Sequence, residues 1–212
     1  MTTKKASRMS SVTTSGRALA LTLAVAGGLT SLTACTDDDA GPPAPIAGIV
    51  EAADLPGSPE QEPLEDDIVA ANGCTLGGPN HLQDNADHTH FVQYTLGDTV
   101  VRSYLYTYTV PADSTKDYDF LANGNKRCVG QMAPPPAGEY HLLKGLPATM
   151  TGWDAISRRD SEVVHSQRVW ARRDKDTIVS VLVTRTVDKA GAEQSPSLPV
   201  DAMALATKVA AE

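Results

Sequence analysis

The sequence lacks a long apolar run and the short motifs of common catalytic sites. Its longest apolar stretch, residues 18–29, holds about twelve residues, whereas a helix needs about 20 to cross a bilayer. The patterns G-x-S-x-G, S-x-x-K and H-E-x-x-H are absent, and so is a phosphate-binding glycine loop. The sequence therefore predicts neither a transmembrane helix nor an enzyme.

Positive charge is missing from residues 36–73. This segment holds no Lys or Arg, but it contains ten acidic residues and six of the fourteen prolines. Low hydrophobicity combined with like charge cannot offset the entropy lost on ordering. The composition predicts a disordered, acidic, proline-rich tether over residues 35–73. The whole chain has a net charge of −8 and no basic patch, so we expect no nucleic-acid partner.

Aromatic residues are absent from both ends of the chain. All ten of them lie between Phe91 and Trp170. The folded domain is therefore predicted to cover residues 74–212, which is an ordinary size for one domain.

Two pairs of β-rich stretches read as hairpins in this domain. Residues 90–96 and 100–110 flank a Gly-Asp-Thr turn, and residues 162–172 and 177–187 flank a second polar turn. Further strands are predicted at 139–143 and 149–157, and helices over 113–123 and 199–209. The order β-β-α-β-β-β-β-α predicts an α+β fold, with an antiparallel sheet of five to six strands and two helices packed on one face.

The first 34 residues have the layout of a secretory signal peptide, with four cations before the apolar run. They end in Leu32-Thr33-Ala34-Cys35, which resembles the lipobox of bacterial lipoprotein precursors. The resemblance implies that residues 1–34 are removed and that Cys35 carries lipid, palmitate included. It places the protein at the extracytoplasmic face of the cell membrane, with the lipid as its contact with the membrane. An ordinary signal peptide cleaved near Ala34 is the alternative.

Once Cys35 is assigned to lipid, two cysteines remain. In an exported chain, Cys74 and Cys128 are most simply a disulfide. It would close a loop of about 54 residues and contribute roughly 4 kcal/mol to stability in the chain-entropy model. Two free buried thiols are the alternative.

The lipobox, the acidic tether and the element order together resemble a bacterial family. They are similar to actinobacterial lipoproteins related to the extracytoplasmic sensor domain of mycobacterial receptor Ser/Thr kinases. Two stretches carry the likeness, Tyr106 to Cys128 and Arg168 to Ala211. The resemblance implies an antiparallel sheet whose helices form a cleft, and a role in ligand sensing. Members often carry two disulfides, whereas this chain has cysteines for one.

Three of the five histidines, His81, His88 and His90, lie within ten residues. On a strand, His88 and His90 project from the same face. Together with His81 they form a candidate zinc or copper site. The alternative is a solvated polar loop that leads into the first strand, with no metal or other cofactor bound.

Tyrosines recur at every second position of one predicted strand. Tyr104, Tyr106 and Tyr108 therefore share one face. They are candidates to line an apolar ligand groove, with each ring offering a hydroxyl group. The alternative is that these rings form the packed face of the sheet.

Three hypotheses for the function follow. The first is a membrane-anchored, non-catalytic module that binds or senses an unknown small ligand, and it predicts a groove between sheet and helices. The second is a metal-binding lipoprotein built on the histidine cluster. The third is a structural or interaction protein whose partner is another envelope protein, and it predicts an exposed apolar patch.

Overall fold

Seven strands form one antiparallel sheet in the part of the chain that the structure describes. The computed structural model describes residues 46–62, 78–128, 139–158, 161–188 and 196–212, apart from the side chains of residues 78–80 and 128. In chain order the elements are β1 (Glu60–Glu62), α1 (Gly78–Asn85), β2 (His88–Leu96), β3 (Thr99–Thr107), α2 (Pro111–Cys128), β4 (Glu139–Leu142), β5 (Met150–Arg158), β6 (Glu162–Arg172), β7 (Thr177–Asp188) and α3 (Ala202–Ala211). The strand order is β1-β2-β3-β7-β6-β5-β4.

The hairpin of β6 and β7 lies at the centre of this sheet. Its register pairs Val169 with Val181 and Trp170 with Ser180. The turn is closed by the backbone N–H of Arg173, which donates to the carbonyl of Thr177 over 3.1 Å. Strand β7 also pairs with β3, so two predicted hairpins are joined edge to edge through it. The antiparallel α+β class is confirmed.

Helix α3 covers one face of the sheet. Its buried residues, Ala202, Leu205, Ala206 and Val209, have the i, i+3, i+4, i+7 spacing of a helical stripe. They pack against the valines of β7 that point to this side. The helix begins at Ala202 and not at Pro199, because the Asp201 side chain caps it by accepting from the backbone N–H of Met203 over 2.8 Å.

Helices α1 and α2 cover the opposite face. Leu82 of α1 and Leu121 of α2 pack against Ile178 and Leu182, which alternate along β7 with Val179 and Val181 of the α3 face. The prediction of two helices on one face is therefore wrong. Strand β7 is apolar on both sides, and a strand of that kind needs cover on each of them.

The structure places residues 46–62 in the folded domain, which corrects the boundary expected at residue 74. Ile49, Val50 and Leu55 are buried, and the backbone N–H of Val50 donates to Oγ of Ser103 over 3.1 Å. Strand β1 then pairs with β2 and is the seventh strand. Its sequence, Glu-Gln-Glu, has no apolar residue, so composition gave no sign of a strand.

Two helices also differ from prediction. Helix α2 continues through Gly124 to Cys128, because a glycine in a helix costs only about 1 kcal/mol and does not by itself end it. Helix α1 forms where the sequence predicts no helix. No helix within the described ranges is long and apolar enough to cross a membrane. Residues 1–34, Cys35, Cys74 and the side chain of Cys128 lie outside the description, as do tether residues 36–45 and 63–73.

Candidate functional site

The predicted shared face of Tyr104, Tyr106 and Tyr108 is confirmed. All three rings belong to the cluster beneath α1 and α2, and each is at most 5% exposed. The rings of Tyr104 and Tyr106 stack with their centroids 6.0 Å apart. Burial raises the pKa of Tyr106 well above its usual range. The stripe therefore forms a packed wall on this face of the sheet.

Arg168, the one buried Lys or Arg among the residues that the structure describes, lies against this wall. It is only 4% exposed and stands opposite Trp153 on β5 and Leu182 on β7. Its guanidinium carbon lies 4.6 Å from the centre of the Trp170 ring and 5.5 Å from that of Tyr104. At these distances the ring faces attract the positive charge.

The charge of Arg168 has no carboxylate counterpart among the described residues. Its Nε donates to Oγ of Ser180 over 3.1 Å, while Nη2 is buried with no hydrogen-bond partner in that part of the chain. Burial lowers the pKa of Arg168, and the neighbouring charge of Arg102 acts in the same direction. Buried charges are normally paired because desolvation is costly, so this exception marks a candidate functional site.

Other buried donors around Arg168 also lack partners in the described structure. These are Nε1 of Trp153, Nε1 of Trp170 and the hydroxyl of Tyr140. The rings of Tyr140 and Trp153 lie 5.4 Å apart, and the sheet register places Trp153 beside Arg168. We call Arg168, Trp153, Trp170, Tyr140 and Tyr104 the arginine cluster. It offers several hydrogen-bond donors within an aromatic enclosure.

A second cation projects from the same face. Arg102 is half-buried and shares its row of the sheet with Leu182 and Arg168. Its Nε donates to Oε1 of Gln93 over 2.7 Å, and Gln93 in turn donates to Oε2 of Glu62 over 2.8 Å. Because strands lie about 4.8 Å apart, the two arginines start about 10 Å from each other.

Asp117 of α2 organises a separate polar group at the end of the tyrosine stripe. It accepts from Asn85 Nδ2 over 3.0 Å and from the Tyr108 hydroxyl over 3.0 Å, and His81 Nε2 lies 3.2 Å from its Oδ1. The His81 ring also contacts Phe120. A polar pocket of about 300 Å³ lies beside Asp117. These contacts hold α1 against α2.

The histidines predicted to share a metal are not brought together. His88 and His90 are exposed on β2, and His90 pairs with Leu105 on the α3 side of the sheet. His81 lies on the α1 side, against Asp117. His81 and His90 therefore lie on opposite sides of the sheet. Within the described residues, no group of three or more His, Cys, Asp or Glu side chains is placed to hold a metal ion.

Sequence reasoning missed Arg168. No arginine is among the candidate site residues that the sequence predicts. Arg172, on the same strand, donates to Oγ1 of Thr115 over 2.8 Å. The available signal was the period-two alternation of strand side chains, which puts Arg168 and Trp170 on the same face of β6.

The comparisons with known proteins add no relative. The chain matches no protein-family model, and neither a curated protein nor a solved structure matches it significantly.

Proposed function

We propose that this protein is a lipid-anchored, extracytoplasmic module that binds a small ligand at the arginine cluster without catalysing a reaction. The observation that carries the proposal is Arg168, a buried cation with an unpartnered Nη2 among aromatic rings. A buried, uncompensated charge lowers stability. Its presence is explained if a ligand supplies the missing partner.

Aromatic side chains support the same proposal. Small-molecule sites are mostly apolar enclosures with a few polar groups that fix orientation. The arginine cluster has that composition, with ring faces from Tyr104 and Trp170 and hydrogen-bond donors from Trp153 and Tyr140. The tyrosine stripe, which the sequence predicts to line a groove, forms one wall of the arginine cluster.

The membrane location is the second half of the proposal. It is supported by the signal layout and by Cys35 after Ala34. Lipid on Cys35 would keep the domain at the membrane surface, while the negative charges of residues 36–73 would keep it away from anionic head groups. The Cys74–Cys128 disulfide belongs to the same proposal, since the extracytoplasmic side is oxidising.

Native mass spectrometry of the protein purified from membranes of its own cells tests the ligand proposal. We expect a small-molecule adduct that is released on unfolding and is absent from an Arg168→Met variant. An adduct-free wild-type protein with a protein partner bound would favour the envelope interaction hypothesis instead. For the anchor, we expect Cys35→Ser to leave the membrane fraction and to lose palmitate labelling, while a Cys74→Ser variant keeps both.

A further inference from the structure

Resting on the proposed function, we infer that the ligand carries one compact monoanionic group, of the carboxylate class, and that Arg168 receives it. The inference follows from three features of the arginine cluster. These are its net charge, its excess of hydrogen-bond donors and the less buried residues on one side of it.

Charge balance selects a monoanion. Arg168 brings one positive charge into an interior in which the described residues place no carboxylate against it. Glu62, the acid on the same sheet row, is engaged by Gln93 at the β1 edge. One negative charge from a ligand would neutralise the buried guanidinium. A dianion would leave one negative charge unneutralised by Arg168. Arg102, half-exposed on the same sheet row, is the cation placed to meet it.

The hydrogen-bonding groups point the same way. The unpartnered buried groups of the cluster are N–H or O–H donors on Arg168, Trp153, Trp170 and Tyr140. A carboxylate accepts at both oxygens and donates nothing, so it complements such a set. The planar guanidinium also matches a carboxylate in bidentate geometry. An amide of the same shape keeps one acceptor oxygen. Its two N–H groups, however, would face the N–H and O–H donors of the cluster.

The less buried side of the cluster lies along the strands, away from α2. The next residue pairs on this face bring Tyr140 opposite Ala155, and Ser166 opposite Thr184. Tyr140, Ala155 and Thr184 are half-buried, whereas Ser166 and Trp170 are buried. A ligand that entered from this end would meet Tyr140 before Arg168. Its organic portion would lie against aromatic rings, which favours an aryl or other flat apolar body.

Matched probes test the charge directly. Benzoate and benzamide have the same shape and differ in charge. We expect benzoate, titrated into the purified full chain, to change tryptophan emission saturably and to raise the thermal unfolding midpoint. Both tryptophans of the chain, Trp153 and Trp170, lie in the cluster. Benzamide should bind about tenfold more weakly or worse, since a hydrogen bond to a charged group is worth roughly 1.5–3 kcal/mol.

Three variants assign the effect to Arg168. Arg168→Met should abolish the preference for the acid and raise the midpoint of the ligand-free protein, because an unpaired buried charge is removed. Arg168→Lys keeps the charge but loses the planar fork, so benzoate affinity should fall about tenfold. Arg172→Met is the matched control on the same strand. It loses a contact with Thr115, so the midpoint should fall while the acid preference stays.

Each alternative outcome has a distinct meaning. Equal binding of benzoate and benzamide would overturn the anion inference and leave ligand binding intact. The anion inference would also be overturned if neither probe, at tens of millimolar, changed the tryptophan emission or the thermal unfolding midpoint. The proposed function is tested separately, by the small-molecule adduct on the protein purified from cells. An Arg168→Met protein less stable than wild type, with no acid preference in wild type, would show that the guanidinium serves packing alone.

Discussion

The Tyr108 hydroxyl donates a hydrogen bond to Oδ2 of Asp117 over 3.0 Å, and both side chains are buried. The other oxygen of Asp117 accepts from Asn85. One carboxylate therefore joins the segment after β3 to α2 and α1. The pKa of Tyr108 is raised by burial and by the negative charge of Asp117, so the tyrosine remains a donor over the physiological pH range.

Removing this carboxylate should destabilise the fold more than removing an exposed acid of the same helix. We expect Asp117→Ala to lower the free energy of unfolding by about 2–3 kcal/mol, because buried donors lose their acceptor. Tyr108→Phe should cost about 1 kcal/mol. Asp113→Ala, which breaks an exposed pair with Lys116, is the control and should cost less than about 0.5 kcal/mol. Urea denaturation measures all three, and equal costs for the two aspartates would contradict the assignment.

Residues 46–62 offer a matched pair of aliphatic side chains. Leu55 is 7% exposed and Ile46 is 42% exposed. We expect Leu55→Ala to lower the free energy of unfolding by about 2–4 kcal/mol, and Ile46→Ala to change it by less than about 0.5 kcal/mol. Chemical denaturation distinguishes the two. If the segment were a disordered tether as its composition predicts, both substitutions would be neutral.

His165 should make stability fall as pH rises. Its Nδ1 lies 2.6 Å from the Pro196 carbonyl and its Nε2 lies 2.8 Å from Oδ2 of Asp154. Both partners accept, so the doubly protonated ring satisfies both. The hydrogen bond that His165 donates to Asp154 raises the pKa of His165 above 6.5. The stabilisation is therefore complete below pH 6.5 and is lost as pH rises through the folded-state pKa.

Unfolding free energies measured between about pH 6 and pH 9 test this sign, and we expect a loss of about 1 kcal/mol from this histidine. The control is His165→Gln, in which this pH-dependent part should disappear while the other four histidines remain. NMR titration of the ring reports its folded pKa directly. A value below that of an unstructured peptide would refute the prediction.

Gly152 is required where β5 passes β6. A Cβ atom at this position would lie 2.6 Å from the carbonyl oxygen of Arg168 and 3.2 Å from Val169 Cγ2. Because both strands are fixed in the sheet, we expect Gly152→Ala to cost about 1–3 kcal/mol and to shift tryptophan emission through Trp153. Ser157→Ala, also on β5 and half-exposed, should do neither. Thermal unfolding followed by fluorescence records both effects, and an unchanged Gly152→Ala profile would argue against this packing.

Most of the sheet was predictable from the sequence because each long strand carries a local signal. Period-two alternation gave the shared face of the tyrosines, and the apolar stripe at Ala202, Leu205 and Val209 gave α3. The side on which a helix packs is not a local property, so the placement of α2 and α3 on opposite faces was missed. It depends on β7 being apolar toward both layers.

The candidate site was harder to predict than the fold. Arg168 is an unexceptional residue until β7 and β3 bring Ser180 and Tyr104 to it. The histidine spacing suggested that the three imidazoles converge on one metal. It contained no information on which side of the sheet each histidine would lie. The prediction of a disordered tether was wrong for residues 46–62 for a different reason. Their few apolar residues, Val50 and Leu55 among them, pack into a core cluster that composition does not reveal.

The pairing of β3 with β7 has a consequence for how the arginine cluster forms. Tyr104 lies opposite Ser180 in that pairing, and the chain between them includes α2 and three strands. Contacts between positions so distant in sequence form slowly, because a large loop must close first. The arginine cluster therefore does not exist in either half of the domain alone. If the proposed ligand binds this cluster, a chain truncated between β3 and β7 would lack the complete site, so ligand occupancy would report that the two halves have come together.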